Sequence, residues 1–554
     1  MSPKMNSTET HHEVDKRPLV VNVANPDDCV ITNRLPLHER LDRQTHDQIM
    51  RAAVAKAQDL IGRNRQKMVD DLGDWEGWRA RAEQIRQDVL ENLDAYLYKL
   101  SEEIDKRGGN VFFARTKEEA TDYILSVIKS KNAKKVVKSK SMVTEEIGLN
   151  HVLESAGVSV LETDLGEFLL QLAKDPPSHV VVPAIHRDRR QIQETLRKTM
   201  GYTGSDTPED MTLFVRKTLR PEFFAADVGI SGCNFAVAES GSMALVSNEG
   251  NARLCTTLPK THIAVMGMER LAPSFAEVDV LITMLARSAV GQRLTGYNTW
   301  LTPPKRSGEL DGPEEFHLVI IDNGRSDILA SQFSPILQCI RCGACMNTCP
   351  CYREVGGHGY GSIYPGPLGA VLTPLIGGYE KFRDLPQVCT LCTACDSVCP
   401  VKIPLSGLIR RHRIAEVEMG IRPTGEKLAM KGFGVANGSP WLWNLTMKAG
   451  APAMKLGIHN GRAPIEPKVI KAWTNARDLP EGDGESFRTW FPNTKRASVT
   501  RRIRNKETKN DQEPRSLPGR SCRQTRPSRE KGAAPCREAR KRLCAHALCR
   551  PFAR

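Results

Sequence analysis

What this 554-residue sequence most plainly lacks is a long apolar run. Nowhere do about 18 apolar residues follow one another, the length a membrane-spanning helix needs. The stretch from Met1 to about Leu41 is polar and has no apolar h-region, so no secretory leader is expected. Together these absences point to a cytoplasmic protein, at most peripheral to the inner face of the membrane. In a reducing cytosol, metal ligation is a better reading of clustered cysteines than disulfides. Also missing are a clean G-x-G-x-x-G and a P-loop, so no self-contained flavin, nicotinamide or ATP site is encoded.

Charge of one sign is missing from most of the chain as well. The formal net charge of +14 arises within residues 495–554, where 19 Lys and Arg stand against 5 Asp and Glu. The other 494 residues hold 60 basic and 60 acidic side chains, so the body offers no basic face for nucleic acid by composition. The tail has little aliphatic periodicity and cannot bury enough apolar surface to offset its chain entropy; it is expected to be disordered. One reading is an arm for nucleic acid or anionic lipid; the composition favours a non-native, out-of-frame C-terminus. Its Cys522, Cys536, Cys544 and Cys549 are irregularly spaced and are not taken as ligands.

A chain of this length exceeds one core. Residues 1–45 are expected to be polar and disordered, 46–330 an α/β domain with leading helices, 331–425 a cysteine-rich domain and 426–494 a small helical domain containing Trp441, Trp443, Trp473 and Trp490. Ile85, Val89, Leu93, Leu97 and Leu100 recur at helical spacing between 77 and 107, with Gly108-Gly109 as the stop. Short apolar runs then read as strands: 111–114, 136–137, 158–161, 180–182, 235–238, 243–246, 263–266 and 318–321. Helical patterns lie between several of them, at 145–153 and 166–172, and Thr116 with Glu119 forms a capping-box signature. Strand-helix alternation implies a parallel sheet covered on both faces.

The chemistry sits in two cysteine runs. Cys339, Cys342, Cys345 and Cys349 before Pro350, and Cys389, Cys392, Cys395 and Cys399 before Pro400, each read C-x2-C-x2-C-x3-C-P. Two-residue gaps let a tight turn aim three sulfurs at one [4Fe-4S] cube, while the fourth normally reaches the other cube in two-cluster proteins. The spacing therefore assigns one cluster to Cys339, Cys342, Cys345 and Cys399, and the other to Cys389, Cys392, Cys395 and Cys349. Zinc also accepts four thiolates, but rarely with the third cysteine and the Cys-Pro repeated. Cys351 has no place in either quartet. The 39 residues between the runs and a helical pattern at 403–419 favour an α-helical two-cluster ferredoxin type.

In an open α/β sheet, ligands bind outside the carboxyl ends of strands. Lys138, Lys140 and Ser141 are placed there to hold a carboxylate, with Glu239, Ser242, Asn248, Glu249 and Asn251 as an opposite wall. Tight turns made by glycine and asparagine are the plainer reading of that wall. His186, after an expected strand, is a candidate general base, though a lone histidine is more often structural.

Several strings resemble the lactate utilization protein B family: VVKSKSMVTEEIGLN (136–150), ETDLGEFLLQL (162–172), PSHVVVPAIH (177–186), AESGSMALVSNEGN (238–251) and CIRCGACMNTCPCYREVGGHGYGSIYPGPLGAVLTP (339–374). The resemblance runs from roughly residue 45 to 494, including SFRTWF at 486–491; the tail departs from it. It implies a sheet domain of the sugar-phosphate isomerase/CoA-transferase-like type, two [4Fe-4S] clusters and an NAD-independent L-lactate dehydrogenase system. In that system the chain is the iron-sulfur subunit, active with two partners: a cysteine-rich protein and a second α/β-domain protein. Another 2-hydroxy acid such as glycolate is the alternative substrate, and the electron acceptor is not encoded. Lactate oxidation removes two electrons and each cube cycles by one, so two cubes can split the pair.

Overall fold

In the computed structural model, the apolar runs between residues 110 and 321 build two sheets. The structure describes residues 30–458 and a few positions between 462 and 479. Its strands are β1 (Asn110–Ala114), β2 (Lys135–Lys138), β3 (Ser159–Glu162), β4 (Val228–Ser231), β5 (Phe235–Val237), β6 (Ser242–Ser247), β7 (Thr261–Gly267), β8 (Leu271–Ala272), β9 (Tyr297–Leu301) and β10 (Glu315–Ile321). Six of them form a parallel sheet in the order β1-β10-β7-β4-β2-β3. All seven residues of β7 are buried, as a central strand covered on both faces requires. Alternation divides the faces: Val136 and Val160 pack with Ile124, Ile128 and Leu153 on one side. Val137 and Leu161 pack with Phe168, Leu169 and Leu219 on the other.

The helix Lys117–Ser130 starts where the capping signature lies. Thr116 accepts the Glu119 amide at 3.3 Å, and the Glu119 carboxylate accepts the Arg115 amide at 2.7 Å. Five expectations change. The long helix expected over 77–107 is two helices, Trp75–Glu91 and Leu93–Asp105, broken at Asn92. The helix at 145–153 likewise divides around Gly148, which is left-handed at φ 63°. Strands β5, β6, β8 and β9 leave the parallel sheet for a separate mixed one, with β5 and β9 antiparallel to β6.

Val180–Val182 is a turn, not a strand. His179 Nδ1 accepts the amides of Val181 and Val182 at 3.0 and 3.1 Å, Lys140 takes the Val181 carbonyl at 3.0 Å, and Pro183 has no amide to give. Finally, the N-terminal stretch is helical from Leu37 to His46, and Arg40 clasps it to the Gly359 and Tyr360 carbonyls at 3.3 Å each.

The cysteine segment does not stand apart from the α/β core. Met50, Val54 and Ile85 of the leading helices share one apolar cluster with Met346, Tyr352, Leu368 and Leu408. Residues to Arg422 accordingly form one compact unit, and those from Pro423 a second. In the second unit, helices Thr424–Gly438 and Pro440–Gly457 meet through Phe433 and Trp443 at 6.4 Å. Residues 1–29, Trp473, Trp490, SFRTWF and all of 495–554 with its four cysteines lie outside the described residues. No helix among the described residues is long and apolar enough to cross a membrane.

Candidate redox centre and strand-end cluster

The two cysteine runs repeat one local design. A short turn of 3-10 helix (Ser334–Gln338; Leu385–Val388) delivers the first cysteine, and a short helix (Ala344–Asn347; Ala394–Val398) carries the third. Between them the chain is left-handed twice per run, at Arg341 (φ 60°) and Gly343 (φ 75°), then at Leu391 (φ 56°) and Thr393 (φ 64°). Glycine enters that region freely, whereas Arg341, Leu391 and Thr393 each cost about 1–2 kcal/mol there. Amides turned by this wrap reach sulfur. Arg341 N donates to Cys339 Sγ at 3.4 Å and Leu391 N to Cys389 Sγ at 3.3 Å; Ile403 N donates to Cys399 Sγ at 3.3 Å. Hydrogen bonds to cluster sulfurs are one of the levers on reduction potential.

The sulfurs fall into two neighbourhoods. Cys342 has Cys399 and Cys339 as charge neighbours, and Cys345 has Cys342, Cys339, Cys395 and Cys399. Cys395 neighbours Cys389 and Cys392, while Tyr360 lies beside Cys349, Cys351 and Cys389. Cys351, unplaced by the spacing, is a charge neighbour of Cys349. Burial pushes the Cys399 thiol up to about 11, and Cys342 and Cys345 further still. Buried thiolates at these positions need positive charge close by, as an iron cluster supplies.

A set of arginines grips the backbone around the cysteines. Arg79 donates to the Cys399 and Asp396 carbonyls at 2.9 and 3.0 Å, and Arg270 to that of Cys339 at 2.8 Å. Arg86, fully buried, reaches Gln338 and Leu337 at 3.1 and 3.0 Å; Arg413 reaches Pro386 at 3.0 Å. These cations fix the loops and offset the negative charge that thiolate ligands bring. Sequence reading passed them over, although Arg79 and Arg86 sit on the same helical stripe as Ala82, Ile85 and Val89, where charge is out of place.

At the carboxyl ends of β2 and β3 lies a cluster of buried acids and lysines. Lys138 is wholly buried, and its three ammonium hydrogens go to Thr144 at 3.0 Å, Glu145 at 2.7 Å and Glu162 at 2.7 Å. Burial alone would lower this ammonium, but Glu145 and Glu162 hold it well above its ordinary value. It has no hydrogen left for a substrate carboxylate, so its geometry is that of a structural ion. Lys140 is less committed: it touches the Val181 carbonyl and stands 3.8 Å from Glu167. Glu249 accepts the Leu165 amide at 3.0 Å, and Asn251 donates to Thr163 at 3.3 Å, so both join this cluster.

Ser141 shares Thr144 with Lys138, its Oγ accepting the Thr144 amide at 3.4 Å, whereas Glu239, Ser242 and Asn248 of the opposite wall bond elsewhere. Ser141 caps the helix Met142–Glu146, Glu239 accepts the Phe275 amide at 3.0 Å, Ser242 meets Thr302 at 2.7 Å, and Asn248 accepts the Gly296 amide at 2.8 Å. His186 bonds Asp175 instead, at 2.8 Å.

Burial raises the Glu167 carboxyl to about 8 and, with Asp164 beside it, the Glu249 carboxyl to about 7. Folding therefore favours their protonated forms. That contribution is complete below the ordinary value of 4.5 and is lost as pH rises through 7 to 8. We expect the unfolding free energy of the wild-type protein to fall across that rise more steeply than that of Glu167→Gln, by up to about 1.4 kcal/mol per pH unit. Parallel pH profiles would refute the assignment of Glu167.

A LUD domain model matches residues 97–321, a 4Fe-4S dicluster domain model residues 335–403, and a model named lactate utilisation protein B, C-terminal, residues 410–496. The dicluster match and the eight-thiol donor set agree on two [4Fe-4S] clusters as the cofactors. The chain is similar to the uncharacterized electron transport protein YkgF of Escherichia coli K12, 66% identical over 460 residues, 83% of this chain and 97% of that protein. It is 56% identical to lactate utilization protein B of Lysinibacillus sphaericus over 462 residues, 83% and 97% of the two chains. A crystal structure of a DUF162 family protein from Deinococcus radiodurans aligns at 16% identity and a TM-score of 0.25, covering 41% of this chain and 98% of that one. With relatives this similar along nearly their full length, this chain belongs to the lactate utilization protein B family.

Proposed function

We propose that this chain is the iron-sulfur electron-transfer subunit of an assembly that oxidises L-lactate to pyruvate. In this reading Cys339, Cys342, Cys345 and Cys399 hold one [4Fe-4S] cluster and Cys389, Cys392, Cys395 and Cys349 the other. When bound, the two clusters supply one-electron transfer, matched to a reaction that releases two electrons and two protons. The observation that carries the reading is the neighbourhood of Cys399, which lies with Cys339 and Cys342 of the other run. Such an exchange brings two clusters close together. The names of the relatives, an electron transport protein and lactate utilization proteins B, support the same role.

Residues 46–330 then supply the acid-binding fold, 331–425 the cluster-binding segment and 426–494 a helical appendage. At the strand ends Lys140 is the cation placed to hold a 2-hydroxy acid by its carboxylate, and Glu249, titrating near neutrality, is the group placed to accept a released proton. Two partner subunits complete the cytoplasmic assembly, one cysteine-rich and one built on a second α/β domain.

Adding L-lactate to the anaerobic holoprotein is expected to give the EPR signal of a reduced cluster with both partner subunits present, and none with this chain alone. Silence in the full assembly overturns the reading; reduction by glycolate in preference to lactate reassigns the substrate. Lys140→Ala should slow the lactate-dependent signal by a factor on the order of 10 to 100, the loss of one hydrogen bond to a charged group.

A further inference from the structure

The turn that replaces the expected strand folds back on the glycine-rich stretch after the first cysteine run. Tyr352 donates to the Ser178 carbonyl at 2.6 Å, Gly357 N to Ser178 Oγ at 2.9 Å, and His358 Nε2 to the Pro176 carbonyl at 2.9 Å. These bonds bring Asp175, His186 and His358 together, each offering one ligand atom within 4.8 Å of the other two. His186 Nε2 lies 2.8 Å from Asp175 Oδ2, His358 Nε2 lies 3.9 Å from Asp175 Oδ1, and the imidazole centroids are 4.4 Å apart.

A structural Asp-His pair needs one ring and engages both of its nitrogens. Here a second imidazole stands against the first, and His186 Nδ1 is buried with no hydrogen-bond partner. The surroundings are those of ligand side chains. Arg187 donates to Asp175 Oδ2 at 3.0 and 2.6 Å, which orients the carboxylate and leaves Oδ1 open; His358 Nε2, 3.9 Å from that Oδ1, donates to the Pro176 carbonyl, a bond that gives way when this nitrogen takes a cation.

We propose that Asp175, His186 and His358 form a mononuclear site for a first-row divalent cation, separate from the cysteine clusters. Two imidazoles and one carboxylate are the donor set of open ferrous and zinc sites. The site does not depend on the lactate reading. It does lie near the second cluster's ligands, because Tyr360, two residues after His358, lies beside Cys349 and Cys389.

The test uses anaerobic holoprotein with its clusters intact, stripped of loosely held metal by a mild chelator. It is titrated separately with Zn2+ and Fe2+, and retained metal is counted after gel filtration. One equivalent beyond the cluster iron is expected, with affinity lowered more than about 100-fold in His358→Gln and Asp175→Asn while cluster iron and sulfide stay constant. Zinc-edge X-ray absorption of the wild-type protein needs no variant and should show nitrogen and oxygen scatterers including imidazole. Retention of no extra metal overturns the proposal. So does all-sulfur coordination of the added zinc, or a His186→Asn/His358→Gln double variant that binds as tightly as wild type.

Discussion

A Cys339→Ala/Cys399→Ala double variant is expected to keep roughly half of the wild-type iron and sulfide, whereas Cys339→Ala/Cys349→Ala loses nearly all of both. The reason is geometric. Cys399 comes from the second run, yet its charge neighbour is Cys339 and it is itself the leading neighbour of Cys342. Removing 339 and 399 then strips two ligands from one cluster; removing 339 and 349 takes one from each. If each run kept its own four cysteines, the two outcomes would trade places. Iron and sulfide analysis of the anaerobically purified variants decides between them, and alanine is used so that no oxygen takes the place of sulfur. Because Cys351 stands beside Cys349, two residues along the chain, the second variant is best repeated with Cys351→Ala added. Partial rescue by Cys351 alone would identify it as a stand-in ligand.

Legibility in the sequence followed the range of the interaction. The cysteine runs were readable because their geometry is set by spacings of two and three residues, and most strands because parallel-sheet burial writes itself as short apolar runs. Val180–Val182 misled for the same reason: the run is apolar, but His179 captures its amides, a local competition that hydropathy does not record. Lys138 was legible as a strand-end cation but not as a committed one. Two of its partners, Thr144 and Glu145, follow within seven residues, and the third, Glu162, arrives only through the pairing of β2 with β3. The arginine grip was least legible, since Arg86 and the Gln338 carbonyl it holds are 252 residues apart. Nothing in a local window marks such a bond except a charge on an apolar stripe. The Asp175, His186 and His358 cluster is of the same kind, assembled across the fold from two motifs that each look like turn chemistry.

The buried ion network behind the first cysteine run sets the second large expectation. Arg325, 1% exposed, makes two bonds to Glu146 at 2.9 Å each and one to Glu269 at 2.8 Å. Tyr364 donates to Glu146 at 2.7 Å, and Arg341, left-handed between two cluster cysteines, lies over the Tyr364 ring at 4.7 Å and 3.7 Å from Glu269. The strained loop is thus braced by charges that reach back to the α/β sheet. Removing one partner of a buried pair typically costs about 3–5 kcal/mol, because the charges left behind stay buried. Arg325→Met leaves Glu146 without a cation, while Glu269 keeps Arg341 at 3.7 Å, and should fall within that range. Local opening of the loop exposes cluster iron, so release to a chelator should quicken by more than about 100-fold at an equal protein fold. Adding Glu146→Gln removes one stranded charge, and the double variant should release iron more slowly than Arg325→Met alone. Acid supplies an independent arm. Burial would raise the Glu146 carboxyl, but Arg325 brings it down to about 2, so its contribution is present above 4.5 and is lost as pH falls toward 2. Glu146→Gln should flatten that acid limb. A Glu146→Gln limb as steep as wild type, with Arg325→Met releasing iron at the wild-type rate, would show that the brace carries no load.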